Sequence, residues 1–428
     1  MKIGFKKALL LAGWMCVFGA DGYAESPVLR QLLNDADGSN PLLLVEKDRV
    51  DIADSRVGQV TSLNDPQLDV SFSSYPVDEL KSNITPMTGN DIRLSQMFPF
   101  PGKLDARGKA AMQSSRWFHF VYEDARLQVK QQIKDAWYRL LFLRQAIELT
   151  TRNLQLLDDF IRLTETRYQV GQGLQQNVLK ANLQRSKQMD KLLVLQQQQQ
   201  ATLAELNSLA GRPTDQLLQV DESLTETALR LNVTALQQQA IAARPMFAGY
   251  EALIEQYHAQ RDLATLDYRP DFTLWAGYRW RDDALDDGGT DFVSAGISFN
   301  LPVRREKRSA AVAEADSSLR AAYHRRDDFR NGVMLTIHRA LTSFEQAGQQ
   351  AELYREGIIP QANQTFQATL SAYQVNKVDF LDLLDSLMTL YRYEIDYLQA
   401  LSDQQRSLAR IEAASGLDVV ELAASYSR

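Results

Sequence analysis

The two halves of this sequence resemble each other at a spacing of about 200 residues. Residues 98–107 and 299–308 share the pattern F-x-x-P-x-[KR]-x-[DE]-x-R, and residues 168–170 recur as 373–375. Two further matches follow in the same order, 66–68 with 270–272 and 206–211 with 411–416. Four ordered matches predict two structurally equivalent repeats, each with a strand-to-helix junction. The candidate junction residues are Phe98, Pro101, Arg107, Phe299, Pro302 and Arg308.

The first 24 residues have the pattern of a secretory signal peptide. Lys2, Lys6 and Lys7 precede an apolar stretch at residues 8–20, and small residues precede Glu25, where we expect cleavage. The single cysteine, Cys16, lies inside this segment, and the bulky residues before it disfavour lipid attachment. We therefore expect an exported mature chain without cysteine. Its predicted divisions are a signal peptide (1–24), a first repeat (25–220) and a second repeat (221–428).

Each repeat contains two stretches in which apolar and polar residues alternate. Leu68, Val70 and Phe72 alternate with polar residues in the first half, and residues 272–280 and 293–301 alternate in the second. A period of two is typical of a β-strand that separates two unlike environments. The residues on the polar side are small or hydroxylated, which fits a water-filled lumen, and the apolar side fits lipid.

Long helices are predicted around these strands. Helical stretches at 27–59 and 233–267 precede the strand pairs. Residues 104–167 contain no proline and one glycine, which predicts a rod of roughly 95 Å. A similar rod at 308–374 should kink at Pro360, and returning helices should follow both rods. The first rod carries a coiled-coil seam at Ile133, Ala136, Leu140, Leu143, Ile147, Leu154, Leu157, Ile161 and Tyr168.

The composition excludes several classes of protein. A net charge of −7 argues against a nucleic-acid binder, and 45% hydrophobic with 24% charged residues is typical of a folded chain. The four histidines, His119, His258, His324 and His338, show no metal-ligand spacing. No catalytic motif is present, so we expect neither an enzyme nor a cofactor or metal site.

The strands also limit how the chain can assemble. Open strand edges are not tolerated in lipid, and four strands are too few to close a barrel. Three chains would supply twelve strands around a water-filled lumen. The predicted fold class is therefore mainly α with a membrane β-barrel: a trimer, four strands per chain, continued by a long α-helical barrel.

The motifs quoted above, together with the turns at 167–171 and 373–385, resemble the TolC-like outer-membrane efflux proteins. The resemblance extends over nearly the whole mature chain. It implies a homotrimeric, passive exit duct in the outer membrane of a Gram-negative bacterium, which extends into the periplasm. The implied partners are a periplasmic membrane-fusion adaptor, an inner-membrane pump and outer-membrane lipid. The junction at residues 98–104 resembles members that serve resistance-nodulation-division pumps for heavy metals, so metal cations or drugs are the expected cargo.

The resemblance also assigns roles to residues in the two turns. Asp382 and Asp385 match the family's gate aspartates, and Asp379 extends the group. Val378 occupies the position of a basic latch, for which Lys377 is the nearest substitute, and Asn177 replaces an acid in the first half. The implied adaptor contacts are Val170, Gly171, Gln172, Val375, Asn376 and Lys377.

Two other functions fit the same sequence. An outer-membrane component of a type I protein-secretion system belongs to the same family. A periplasmic coiled-coil structural protein or adhesin would have the long helices but would not need paired amphipathic strands.

Overall fold

The computed structural model describes residues 26–418, so the predicted signal peptide lies outside the described part. Nine α-helices and four β-strands occur there, together with a π-helical turn at Tyr354–Ile358. Their order is α1 Pro27–Ser39, α2 Pro41–Thr61, β1 Gln67–Ser73, β2 Gly89–Phe98, α3 Lys103–Gln169, α4 Gln175–Leu209, α5 Val233–Ala243, α6 Pro245–Leu266, β3 Phe272–Trp280, β4 Phe292–Phe299, α7 Arg305–Leu353, α8 Ile359–Gln374 and α9 Phe380–Ser415.

The four strands form one antiparallel sheet in the order β1-β2-β3-β4. The register places Phe98 of β2 opposite Phe272 of β3, and Phe272 opposite Phe299 of β4. One face carries exposed apolar side chains, among them Val70 at 54% and Ile297 at 52%. The other face carries Met97, Trp275 and Phe292, but most of its side chains are charged, small or hydroxylated, as the alternation predicted. The latter include Asp69, Ser71, Asp91, Arg93, Ser95, Gly277, Arg279, Ser294 and Ser298.

The helix α3 contains 67 residues, which corresponds to about 100 Å. It packs along α4, α6 and α9. The predicted seam is buried at Ile133, Leu140 and Ile161. At Tyr168 the prediction is wrong, because this side chain is 48% exposed. Tyr168 belongs to the last turn of α3, beyond the point at which neighbouring helices cover the seam.

Five buried clusters hold the described helices together, and three of them are large. The first joins α1 and α2 to α3, with Trp137 and Leu32 fully buried. The second lies between α5, α7 and α9, and the third lies where α3, α8 and α9 end or begin. Burial of large apolar side chains at about 1.5–3 kcal/mol each is the main stabilising contribution. In the range 26–418, no helix combines the length and the apolar composition that a membrane crossing requires.

The structure corrects two predicted helical stretches. Residues 27–59 form two helices separated at Asn40, whose side chain accepts hydrogen bonds from the first amides of α2. Residues 233–267 likewise form two helices, separated at Arg244. In both cases a proline begins the second helix, and the residue before a proline is pushed out of the helical region.

At Pro360 the predicted kink corresponds to a π-helical turn that ends two residues earlier. Proline removes one backbone donor and its ring crowds the preceding turn of a helix. The wider π-helical turn, which shifts the hydrogen bonding by one residue, accommodates that crowding. The last predicted strand is shorter than expected, since β4 ends at Phe299 rather than at Leu301.

Candidate functional site

Two tight turns, between α3 and α4 and between α8 and α9, lie side by side at one end of the helices. In the first turn Gln172 N donates to Arg167 O at 2.8 Å, and Gly171 N donates to Tyr168 O at 3.0 Å. In the second turn Lys377 N donates to Ala372 O at 2.9 Å, and Asn376 N donates to Tyr373 O at 3.1 Å. Both sets of bonds form the Schellman arrangement that ends a helix.

The residue at the centre of each turn has a positive φ. Gly171 has φ +72°, and Asn376 has φ +59°. Glycine adopts this conformation freely, and asparagine is one of the few other residues that tolerate it. The two turns therefore reverse the chain by the same backbone geometry with different side chains.

Arg167 joins the two turns. Its Nη1 donates to Asn376 Oδ1 at 2.8 Å, and its Nη2 donates to Tyr373 O at 3.2 Å. The guanidinium group also lies over the Tyr373 ring, 4.2 Å from the ring centroid. From the sequence, Lys377 was the nearest substitute for the family's basic latch residue. In the structure, the contacts between the two turns come from Arg167 instead. Its presence within the quoted turn motif was the only sequence signal for this role.

An aromatic cluster supports the second turn from beneath. Tyr373 is 5% exposed, and its ring centroid lies 5.9 Å from that of Phe380. Phe160 of α3 lies 6.4 Å from the rings of both Phe366 and Phe380. Burial raises the pKa of the Tyr373 hydroxyl, and the nearby Arg167 charge opposes that rise. These contacts fix the start of α9 against α3.

The three candidate gate aspartates lie at the start of α9. Asp379 is the N-cap residue, and its Oδ1 accepts a hydrogen bond from Phe380 N at 2.6 Å. Asp382 and Asp385 follow at a spacing of three, so they share one side of the helix. Both are exposed, while Leu383 and Leu387 of the same helix are buried at 0% and 2% exposure. Neither forms an ion pair with another described residue of the chain.

The candidate docking residues form an exposed surface on both turns. Val170 is 61% exposed and Val375 is 62% exposed. Gly171, Gln172, Asn376 and Lys377 are exposed as well. Asn177, where the resemblance places an acid, is instead buried on α4, and its Oδ1 has no hydrogen-bond partner among the described residues.

The junction residues lie at the opposite end of the long helices, next to the sheet. Phe98 stacks on Phe272 with ring centroids 5.4 Å apart, in the same row as Phe299. Arg308 Nε donates to Asp267 O at 2.6 Å. Pro101 and Pro302 follow the strands, and Arg107 is half-buried on α3.

Lys103 was part of the junction motif, but the sequence did not single it out. Its side chain is 3% exposed, and its Nζ lies 2.9 Å from Asp271 Oδ1 and 3.1 Å from Asp267 Oδ1. A buried amine of this kind requires such partners. The contact connects the end of β2 with the segment that leads into β3. It therefore joins the two predicted repeats within one chain.

No group of three or more His, Cys, Asp or Glu side chains within residues 26–418 is arranged to hold a metal ion. Asp382 and Asp385 at the start of α9 instead form an exposed anionic surface that has no ion pair among the described residues. Such a surface attracts cations and repels anions at short range.

The chain is similar to known proteins over most of its length. The family model described as "Outer membrane efflux protein" matches residues 32–212 and 236–417. The pyoverdine export outer membrane protein OpmQ of Pseudomonas aeruginosa is 24% identical over 418 residues, covering 94% of this chain and 85% of OpmQ. The cobalt-zinc-cadmium resistance protein CzcC of Cupriavidus metallidurans is 21% identical over 391 residues, covering 91% of this chain and 90% of CzcC.

The fold is also similar to solved structures. The outer membrane protein VceC of Vibrio cholerae superimposes with a TM-score of 0.75 at 20% identity, covering 91% of this chain and 96% of VceC. The arrangement of a small four-stranded sheet and long helices is thus shared by the two proteins.

Proposed function

The chain belongs to the outer membrane efflux protein family, and on this premise we propose that it is the passive exit duct of a tripartite efflux system. Members of this family are channels of the outer membrane that extend into the periplasm, and they are not enzymes. In this proposal the duct receives cargo from an inner-membrane pump through a periplasmic adaptor. The signal peptide (1–24) directs export, and the repeats 25–220 and 221–428 form the channel.

The duct is a homotrimer in which twelve strands close a barrel in outer-membrane lipid. The observation that supports this most directly is the sheet, which has one exposed apolar face and one polar face. Aromatic side chains lie towards both ends of the apolar face. Phe98, Phe272 and Phe299 form one row, and Tyr278 and Trp280 lie towards the other end. Aromatic residues at both interfaces are typical of membrane barrels.

The paired turns form the periplasmic end of the duct. Threefold symmetry would bring the Asp382 and Asp385 carboxylates of three chains around one axis. Like charges at close range repel each other and attract cations. Asp379, which caps α9, contributes a third carboxylate from each chain to this group. The exposed residues of both turns, Val170, Gly171, Gln172, Val375, Asn376 and Lys377, form the adaptor contact.

The cargo proposed is metal cations or drugs, delivered by a resistance-nodulation-division pump. A relative named for cobalt-zinc-cadmium resistance supports metal cations, and a relative named for pyoverdine export supports small organic cargo. Deletion of the gene, followed by growth on copper, silver, zinc, cobalt and hydrophobic drugs, separates the two classes. Unchanged tolerance to every compound would contradict the proposal for cargo.

The gate assignment is tested by replacing Asp382 and Asp385 with alanine. We expect a higher single-channel conductance in planar bilayers and weaker block by multivalent cations, because the variant lacks the carboxylates that narrow the pore and bind cations. Asp190, on the neighbouring exposed helix α4, provides a control replacement of the same residue type. Unchanged conductance and block in the double variant would contradict the gate role.

A further inference from the structure

The polar face of the sheet contains a recess of about 470 Å³. Its floor is formed by Gly277 of β3 and by Ser294, the partner of Gly277 on β4. Along β3, Trp275 precedes this floor and Arg279 follows it, and Arg93 of β2 lines the recess as well. Ligand pockets in proteins have volumes of about 300–1,000 Å³, so the recess is large enough for a small organic molecule.

Trp275 differs from the small and hydroxylated side chains that predominate on this face. Its ring covers Gly296, its partner on β4. A Cβ atom at position 296 would come within 2.7 Å of the ring, so the glycine provides the room that the ring occupies. The guanidinium group of Arg93 lies over the same ring, 3.9 Å from the ring centroid. Trp275 and Arg93 therefore form one stacked unit beside the floor of the recess.

The stacking leaves the hydrogen-bond donors of Arg93 unused. The side chain forms no ion pair and donates no hydrogen bond to any residue in the range 26–418, and its buried Nε has no acceptor there. Asp69 is the partner of Arg93 in the register, but Arg93 leans over β3 and away from β1. Polar groups without partners are rare in folded proteins and require an explanation. The guanidinium group is thus a set of donors that faces the recess and has no acceptor in the chain.

The acidic residues of the recess do not supply that acceptor. Asp91 is paired with Arg279, which donates from Nε at 2.8 Å and from Nη2 at 3.0 Å. Ser73 accepts a further hydrogen bond from Arg279 at 3.0 Å. Asp69 lines the recess from β1 and is exposed, and its charge disfavours ligands that carry several negative charges. The surroundings of Arg93 therefore favour a ligand with a single negative charge.

We propose that this recess binds planar organic monoanions, of which aromatic carboxylates are the simplest. The carboxylate accepts hydrogen bonds from the Nη atoms of Arg93, because a guanidinium group matches a carboxylate with two parallel hydrogen bonds. The flat ring of the same molecule lies over Gly277, beside Trp275, where the floor carries no side chain that would obstruct it.

This inference rests on the proposed duct, whose lumen the polar face of the sheet would line. It adds a class of cargo for which the lumen has a built contact. A metal cation could use neither the donors of Arg93 nor the flat floor, so the contact favours organic anions over metal cations.

Saturation-transfer NMR of the purified mature protein in detergent tests the proposal with benzoate as the probe. Two further compounds separate charge from shape. Cyclohexanecarboxylate has the same charge without a flat ring, and benzamide has the flat ring without the charge. Benzoate should bind several-fold more tightly than either compound. Equal affinity for benzoate and cyclohexanecarboxylate, or for benzoate and benzamide, would overturn the assignment of a planar anion.

Replacements of Arg93 test the residue that carries the proposal. Arg93→Gln should weaken benzoate binding at least about tenfold, because it removes the hydrogen bonds from a charged donor. Arg93→Lys should give an intermediate affinity, because lysine keeps the charge but lacks the planar group. Arg330→Gln, at an exposed site of α7, is the matched control and should leave the affinity unchanged. Equal benzoate affinity in Arg93→Gln and the unmodified protein would overturn the inference.

A second variant locates the site without a change to Arg93 or Trp275. Ser294→Phe fills the recess from β4, where Ser294 is exposed, and it should abolish benzoate binding while thermal unfolding stays unchanged. Benzoate binding that persists in Ser294→Phe would overturn the location. This variant also decides the question if Arg93→Gln fails to fold.

Single-channel recording in planar bilayers separates this inference from the proposed function. Benzoate should reduce the current of the unmodified channel reversibly, and it should reduce the current of Arg93→Gln much less. Protein that binds benzoate through Arg93 but conducts no ions would contradict the duct while the binding site stands. Conducting channels whose benzoate binding does not depend on Arg93 would contradict the inference while the duct stands.

Discussion

Replacement of Arg167 by alanine should shift the paired turns towards an open state. The change removes three hydrogen bonds from a charged donor, to Asn376 Oδ1 at 2.8 Å, Tyr373 O at 3.2 Å and Gln374 O at 3.4 Å, and the stacking on Tyr373. Hydrogen bonds to charged groups contribute about 1.5–3 kcal/mol when buried, and stacking of a solvent-accessible cation on an aromatic ring contributes about 0.5–1 kcal/mol. Partial exposure reduces the total to about 1–2 kcal/mol, which is a factor of about 5–30 in an equilibrium.

Single-channel recording in planar bilayers measures this shift as the ratio of open to closed dwell times. Arg167→Ala should raise the ratio by about 5–30-fold. Arg167→Lys should give a smaller increase, because lysine keeps the charge but lacks the planar fork.

Arg162 provides the control for the loss of charge. It lies nearby on α3 and pairs only with Asp159 of the same helix among the described contacts. Arg162→Ala should leave the dwell times unchanged. The reasoning is refuted if Arg167→Ala leaves the ratio unchanged, or if both alanine variants change it equally.

Two further predictions concern stability, measured by thermal unfolding of the purified protein in detergent. Lys103→Met should destabilise the junction by about 3 kcal/mol, because it leaves the carboxylate of Asp271 without its buried partner. Lys109→Met, at an exposed site, is the control and should change the free energy of unfolding by less than about 0.5 kcal/mol. Equal effects of the two replacements would contradict the role of Lys103. The hydrogen bond from Arg126 lowers the pKa of the Asp37 carboxyl below its ordinary value of 3.8. The pair therefore stabilises the fold fully above pH 3.8, and this stabilisation is lost as the pH falls through the lowered pKa. Asp37→Asn should therefore reduce stability by about 1 kcal/mol at pH 7 and have a vanishing effect at low pH; a difference that does not vary with pH would contradict this assignment.

The larger elements of the fold could be predicted because each has a strong local pattern. The alternation of apolar and polar residues predicted the positions of the strands. The long stretch without proline predicted both ends of α3 to within two residues. The breaks at Asn40 and Arg244 had a local signal as well, since Pro41 and Pro245 each begin a helix. The family match confirms the predicted membership, the outer-membrane location and the absence of an enzymatic role.

The contacts of the candidate site could not be predicted in the same way. Arg167 and Asn376 are far apart in the sequence, and their hydrogen bond depends on how two separate helix pairs are aligned. The same holds for Lys103 and Asp271, whose contact depends on the packing of one repeat against the other. Asp382 and Asp385 were predicted to share one side of a helix, and they do so, but their role as a gate stays a prediction. Such a role depends on neighbouring chains rather than on local pattern.

The most direct test of the central proposal is the mass of the purified mature protein in detergent, measured by native mass spectrometry. A duct closed by twelve strands predicts a particle of three copies that depends on detergent for its solubility. A monomer that stays soluble without detergent would contradict the account, because a single copy cannot cover both edges of its sheet.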